Sequence, residues 1–179
     1  MVKLRLAEER DLKKISEMYV ENWKATYVGL VNQDFLDSLN VPDTIEKWKT
    51  HIEKDNHGIY VAEKDKRIMG FAAFRPEPNI DDCLYLDSLH VSKCSRKLGI
   101  GSILINQIAK RSEECGYSKM NISIVSGNER ARRLYINNGA VHYEFEKIEF
   151  GDKDQLYILG DVIDRGPAPR IFQTKVCIK

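Results

Sequence analysis

The stretch LHVSKCSRKLGIGSILI, residues 89–105, leaves an apolar run, crosses a basic polar loop and opens a helical pattern on Gly99, Ile100 and Gly101. That junction suits an anion. The N–H groups of a first helical turn lack intrahelical acceptors and the helix dipole adds positive charge, while residues without Cβ admit a phosphate close to the backbone. Arg96, Lys97 and Ser102 supply further charge and a hydroxyl. Neither G-x-x-x-x-G-K-[ST] nor G-x-G-x-x-G occurs, which excludes those two nucleotide loops and leaves a plain tight turn as the competing reading. Downstream, VSGNERARRLYINNGA sets Asn128 after a strand and Tyr135 seven residues later. Taken singly, Asn128 reads as a helix N-cap, Arg132 and Arg133 as a solvated helix face, and Tyr135 as a core aromatic.

The elements that must position these residues follow from periodicity. Val2 to Leu6 alternates as a strand, and Leu12, Ile15, Tyr19 and Trp23 fall at helical spacing. After the tract TYVGLVNQDFLDSLN, Pro42 and Asp43 start a second helix with Ile45, Trp48 and Ile52 on one face. From Gly58 the period becomes two, predicting two strands joined at Lys64, Asp65 and Lys66. Cys83 to Val91 is a further strand. The next helix should turn Ile103, Leu104, Ile108 and Cys115 inward and stop at Gly116. Lys119 to Val125 is a strand, a short helix runs from Asn128 to Gly139, and VHYEFEKIEF and QLYILGDVI supply two closing strands. The fold class is α/β of the mixed (α+β) kind: a mostly antiparallel twisted sheet flanked by helices, with a parallel β-α-β centre.

Composition narrows the function. With 28 Lys+Arg against 27 Asp+Glu in 179 residues the formal charge is +1, and no long basic block marks a nucleic-acid binder. The N-terminus lacks a signal-peptide pattern and no apolar run approaches a membrane span, so the expectation is a cytoplasmic protein without membrane contact. Four scattered cysteines, without a C-x-x-C pair or a zinc-spaced histidine, read as free thiols, and no metal is implied. No linker or repeat divides the chain, so residues 1–179 read as a single domain.

The two motifs together resemble the GNAT superfamily of N-acetyltransferases. There, [QR]-x-x-G-x-[GA] after a strand binds the pyrophosphate of acetyl-coenzyme A, and Arg96, Gly99 and Gly101 match it. Asn128 and Tyr135 match the Asn and Tyr that follow the next strand. The resemblance covers roughly residues 2–150, and Trp23, Tyr27, Gly29 and the FLDSL segment look like a bacterial small-molecule branch. It implies that amides of Lys97, Leu98, Gly99, Ile100, Gly101 and Ser102 hold the pyrophosphate. It implies too that Leu89 and Val91 pair with the pantetheine arm where two central strands splay, that Asn128 bonds the same arm, and that Arg132 or Arg133 meets the adenosine phosphates.

Acetyl transfer to an amine needs a base for the ammonium, a polariser for the thioester carbonyl and a proton for the departing thiolate. Asp87, at a position where family members often carry an acid or histidine, is the candidate base. The Val91 N–H is the polariser. Tyr135, a phenol protonated at neutral pH, is the acid. Trp23 and Tyr27 would border a pocket for a small-molecule or peptide amine, and a homodimer is compatible with the family. His90 alternates with Leu89 and Val91 and should face away from the wedge.

One segment departs from the family. Gly160-Asp161-Val162-Ile163-Asp164-Arg165-Gly166 resembles the GD-x-x-D-R-G segment of metal-dependent phosphoesterases, and Asp55, Asn56 and His57 match their D-x-H in form. The later ligands such a two-metal site needs are missing, because no histidine follows Gly166. Residues 160–179 therefore read as an irregular extension. A third reading is a non-catalytic coenzyme A-binding sensor, against which Tyr135 and Asn128 both count.

Overall fold

A computed structural model of the chain describes residues 1–147 and 172–178. Its first four strands, β1 (Lys3–Leu6), β2 (Gly58–Lys64), β3 (Arg67–Pro76) and β4 (Cys83–Val91), each run antiparallel to the next. The β2–β3 hairpin turns on Asp65 and Lys66, both at positive φ, the pairing a tight two-residue turn requires. Strand β5 (Lys119–Val125) lies parallel to β4, as the crossover through a helix demands. Strands β6 (Val141–Lys147) and β7 (Phe172–Ile178) finish one seven-stranded sheet in the order β1-β2-β3-β4-β5-β7-β6.

Helices cover both faces. On one side α1 (Leu12–Thr26) and α3 (Val41–Ile52) pack Ile15, Tyr19, Trp23 and Trp48 against Val61, Phe71 and Ala73. On the other, α4 (Ile100–Glu114) and α5 (Glu129–Asn137) set Leu104, Ile108 and Tyr135 against Phe74, Leu84 and Leu86. Each fully buried aliphatic or Phe side chain contributes about 1.5–3 kcal/mol through the apolar area it removes from water. The left-handed residues Gly116 and Gly139 follow α4 and α5, as their sequence positions predict.

Three expectations need correction. A short helix, α2 (Gln33–Ser38), lies in the tract read as a connection, started by Asn32, whose side chain accepts from the Asp34 amide at 2.7 Å. Six residues with two apolar side chains are too few to show a period. In α4 the inner face is Ile100, Leu104, Ile105, Ile108 and Ser112, while Cys115 is the half-exposed C-cap. Third, the extension read as irregular contains β7: FQTKVCI alternates with β-branched residues at every second place, which suits a pleated ladder. The expected strand QLYILGDVI and the GDVIDRG motif lie outside the described residues.

Two irregularities of β4 create the site. Phe74 opposes Leu86 and Ala73 opposes Ser88, so Asp87 is an extra residue, a bulge. Side-chain parity reverses there. Leu86, Leu89 and Val91 all join the α4-side core, while His90 turns to the α1 side between Tyr19 and Phe71, each 5.1 Å away between ring centroids. Beyond the bulge β4 also leaves β5: only Cys83 to Tyr85 pair with Lys119 to Asn121, and the remaining lengths diverge.

Candidate active site

Two adjoining cavities occupy that divergence. The larger, about 290 Å³, runs along the start of α4 and the end of β4. Its loop is preorganised by positive φ at Lys97 (68°) and Gly99 (74°). At Gly99 an added Cβ would meet nothing within 4 Å, so glycine serves the left-handed backbone there. Gly101 differs. A Cβ on it would stand 3.0 Å from the Leu134 side chain of α5, so its smallness lets α4 and α5 approach. Gly99, as N-cap, has no side chain to satisfy the first-turn amides of Ile100, Gly101 and Ser102.

Positive charge gathers beside these amides. The described lining of the larger cavity holds Arg96, Lys97 and Arg130 and no carboxylate. Burial and the neighbouring Arg96 charge lower the pKa of Arg130, the signature of two cations facing one space. Arg130, two residues before Arg132 and three before Arg133, lines the cavity, whereas Arg132 and Arg133 do not; Arg132 pairs with Glu129 at 3.7 Å on the exposed face. Leu98 is exposed, and its amide donates back to the Ser95 carbonyl at 3.4 Å. Ser102 lines the cavity while its Oγ accepts from Asn138 Nδ2 at 3.1 Å.

Asn22 is a site residue that the motifs do not contain. Buried on α1, it donates to the Val91 carbonyl at 3.2 Å and accepts from Arg96 at 3.3 Å, tying the strand end to the loop. No sequence signal singles it out, since Ser16 is a second polar residue among the buried positions of α1.

The smaller cavity, about 60 Å³, lies in the gap itself and brings Trp23, Tyr27, Asp87, Leu89, Asn128 and Tyr135 together. Asn128 does cap α5, accepting from the Ala131 amide at 3.1 Å, and its Nδ2 also donates to the Tyr27 hydroxyl at 3.2 Å. Trp23 stacks obliquely on Tyr27 with centroids 4.3 Å apart. Tyr135 is buried and lines both cavities. Asp87 is buried with Oδ1 held by Arg75 Nε at 3.1 Å, while Oδ2 has no hydrogen-bond partner. Arg75 is fixed in turn over the Tyr85 ring at 4.4 Å. His90 takes the face opposite Leu89 and Val91, yet the open gap lets it line both cavities. Burial and Lys47 push its pKa down to about 3, so it is a neutral wall at physiological pH. His57 turns on its own loop, its Nδ1 2.9 Å from the Asp55 carbonyl. Among the described residues, no group of three His, Cys, Asp or Glu is placed to hold a metal.

A β-bulged strand that parts from its parallel neighbour beside a cationic helix start is the arrangement that the resemblance to the GNAT superfamily implies. The profile of the acetyltransferase (GNAT) family matches residues 13–139, and the chain belongs to that family. It is 30% identical over 133 residues to an uncharacterized N-acetyltransferase, YuaI, of Bacillus subtilis, covering 72% of this chain and 74% of that one. Among solved structures the fold resembles yncA from Salmonella typhimurium, solved with its cofactor acetyl-CoA (TM-score 0.72, 16% identity, covering 100% of this chain and 94% of that one). It also resembles the paia N-acetyltransferase of Thermoplasma acidophilum in complex with coenzyme A (TM-score 0.71, 19% identity, covering 98% of each chain).

Proposed function

We propose that the chain transfers an acetyl group from acetyl-coenzyme A to a primary amine by direct attack within a ternary complex. The observation that carries this reading is the meeting of Asp87 and Tyr135 on one small cavity that opens into the acid-free cationic cleft. Amides of the first α4 turn, with Arg96, Lys97 and Arg130, would hold the pyrophosphate, and Leu89, Val91 and Asn128 the pantetheine arm. Acetyl-coenzyme A supplies the activated acyl group. Each protein group has a separate task in its use.

Asp87 Oδ2, the unpartnered oxygen, accepts a proton from the incoming ammonium and frees the nitrogen lone pair. Arg75 keeps the carboxylate oriented through Oδ1. The Val91 N–H stabilises negative charge as it grows on the carbonyl oxygen, and Tyr135 donates the proton that the departing sulfur needs. Trp23 and Tyr27 give the acceptor pocket aromatic walls, which attract a cation before it loses its proton. Acyl transfer without a metal fits these donors and acceptors.

Thiol release from acetyl-coenzyme A on mixing with amines, amino acids, polyamines and aminoglycosides tests the reading. Amine-dependent release supports it. Calorimetric binding of acetyl-coenzyme A without release from any acceptor would favour a sensor instead, and absent binding would remove the reading altogether.

A further inference from the structure

We infer that the accepted amine carries a neutral oxygen, a carbonyl or a hydroxyl, within two or three bonds of its nitrogen, and that Ser88 and Trp23 recognise that oxygen. The inference rests on the acetyl-transfer reading above and adds the chemistry of the acceptor. Among the described residues five buried side-chain polar atoms lack a hydrogen-bond partner: Ser16 Oγ, Trp23 Nε1, Trp48 Nε1, Asp87 Oδ2 and Ser88 Oγ. Three of the five belong to residues lining the small cavity. Trp23 is 1% exposed, and Asp87 and Ser88 are each 5% exposed, so bulk water does not reach them. An unmet buried polar atom is costly, and three on residues that line one cavity mark a place where a ligand can supply the partners.

Their chemistry defines the ligand. The indole N–H only donates, so Trp23 requires an acceptor atom, and Asp87 requires an N–H. The Ser88 hydroxyl can complete either side. A plain alkylamine or a polyamine presents N–H groups but no oxygen, which leaves Trp23 unmet. A carboxylate would meet Trp23 and Ser88, yet the described lining of this cavity has no cation, and the nearby Arg75 is already paired with Asp87 at 3.1 Å. An anion placed there is desolvated without a counter-charge of its own. A neutral oxygen meets both donors without that cost. The volume of about 60 Å³ confines it close to the nitrogen, since one water alone needs about 10–15 Å³. The bulge explains why Ser88 is available. The extra residue at Asp87 turns Ser88 toward the α1 side, opposite Ala73 and on the same side as Trp23.

The test uses five amines of similar size: glycinamide, ethanolamine, n-propylamine, 1,3-diaminopropane and glycine. Thiol release is followed with wild type, Ser88→Ala and Trp23→Phe, with kcat/KM referred to unprotonated amine. Wild type should prefer glycinamide or ethanolamine at least tenfold over the other three, and which of the two wins distinguishes a carbonyl from a hydroxyl ligand. Each variant should lower kcat/KM for the oxygen-bearing amines at least threefold more than for propylamine, a double difference in which intrinsic amine reactivity cancels. Preference for propylamine, diaminopropane or glycine, or equal losses across the panel, overturns the inference while acetyl transfer stands. Release with none of the five, despite acetyl-coenzyme A binding, also overturns it. Failure to bind acetyl-coenzyme A removes the functional reading beneath it.

Discussion

The cationic cleft and the small cavity beside it are made of different material. The cleft is built around one contiguous run, Ser95 to Ser102, with two residues held at positive φ and an uncapped first helical turn. The cavity is lined from α1, β4, β5 and α5, and three buried side-chain polar atoms of its lining residues have no protein partner. A pyrophosphate is the same in every use of the cofactor, so a rigid amide cradle serves it. An acceptor is particular, and a set of separately replaceable side chains can be adjusted to one molecule without disturbing the cradle.

The sharpest way to break that division is Tyr135→Phe, which deletes one hydroxyl from the cavity. Single-turnover acetylation should fall by about 10²- to 10⁴-fold, roughly 3–5 kcal/mol, with acetyl-coenzyme A affinity retained. Loss of affinity with unchanged turnover would assign Tyr135 to the cradle instead. On the cradle side, Gly99→Val forces a β-branched residue to φ 74°, at a cost of about 1–2 kcal/mol. Acetyl-coenzyme A should then bind about tenfold more weakly by calorimetry. Gly99 is the cleaner probe, because any side chain at Gly101 also meets Leu134.

A third test asks whether the wall of the cavity costs stability. His90 has its pKa lowered to about 3, below its value of about 6.5 in an unfolded chain. As pH falls the unfolded state therefore takes up the proton first. Its contribution is complete above pH 6.5 and declines from there toward pH 3, by up to about 1.4 kcal/mol per pH unit. His51, with its pKa also lowered by burial, acts in the same direction. In urea unfolding at pH 7 and pH 5, His90→Phe should lose less stability between the two than wild type does. An unchanged difference would show that the imidazole is already hydrated.

The smallest effect separates two neighbouring arginines. Arg130→Ala should weaken acetyl-coenzyme A about threefold to fivefold and reduce the salt dependence of binding, whereas Arg132→Ala should change it less than twofold. The reverse order would favour Arg132, one of the two residues that the resemblance implies, for the adenosine phosphates.

The same division explains what the sequence disclosed. The alternation in β2 to β4, the helical spacing in α1 and α4, and the loop from Arg96 to Gly101 are local patterns, and each appears in the structure near its expected place. RARR offers three cations, Arg130, Arg132 and Arg133, within one turn, and only the docking of α5 decides which faces the cleft. Asn22 and Ser88 carry no motif; their burial becomes visible only when α1 crosses the open gap. The bulge at Asp87 leaves no mark, since alternation on either side of it looks continuous. Helix α2 is too short to display a period. Strand β7 was passed over because 24 residues, 148–171, separate it from β6, and its ladder partners are distant in the chain.

That last strand has a consequence for the order of assembly. Since β7 lies between β5 and β6, and among the described residues β6 pairs only with β7, β6 joins these strands once residues 172–178 have been synthesised and have found β5. On the ribosome, β5 would wait with an unpaired edge while its partner is still to come. Such a closure is slow because it joins residues 48 to 58 apart in sequence, and during the wait the bare edge invites pairing with another chain. Strands β2 to β4 can form from their own sequence neighbours, so folding can start there, and the far side of the gap is finished last.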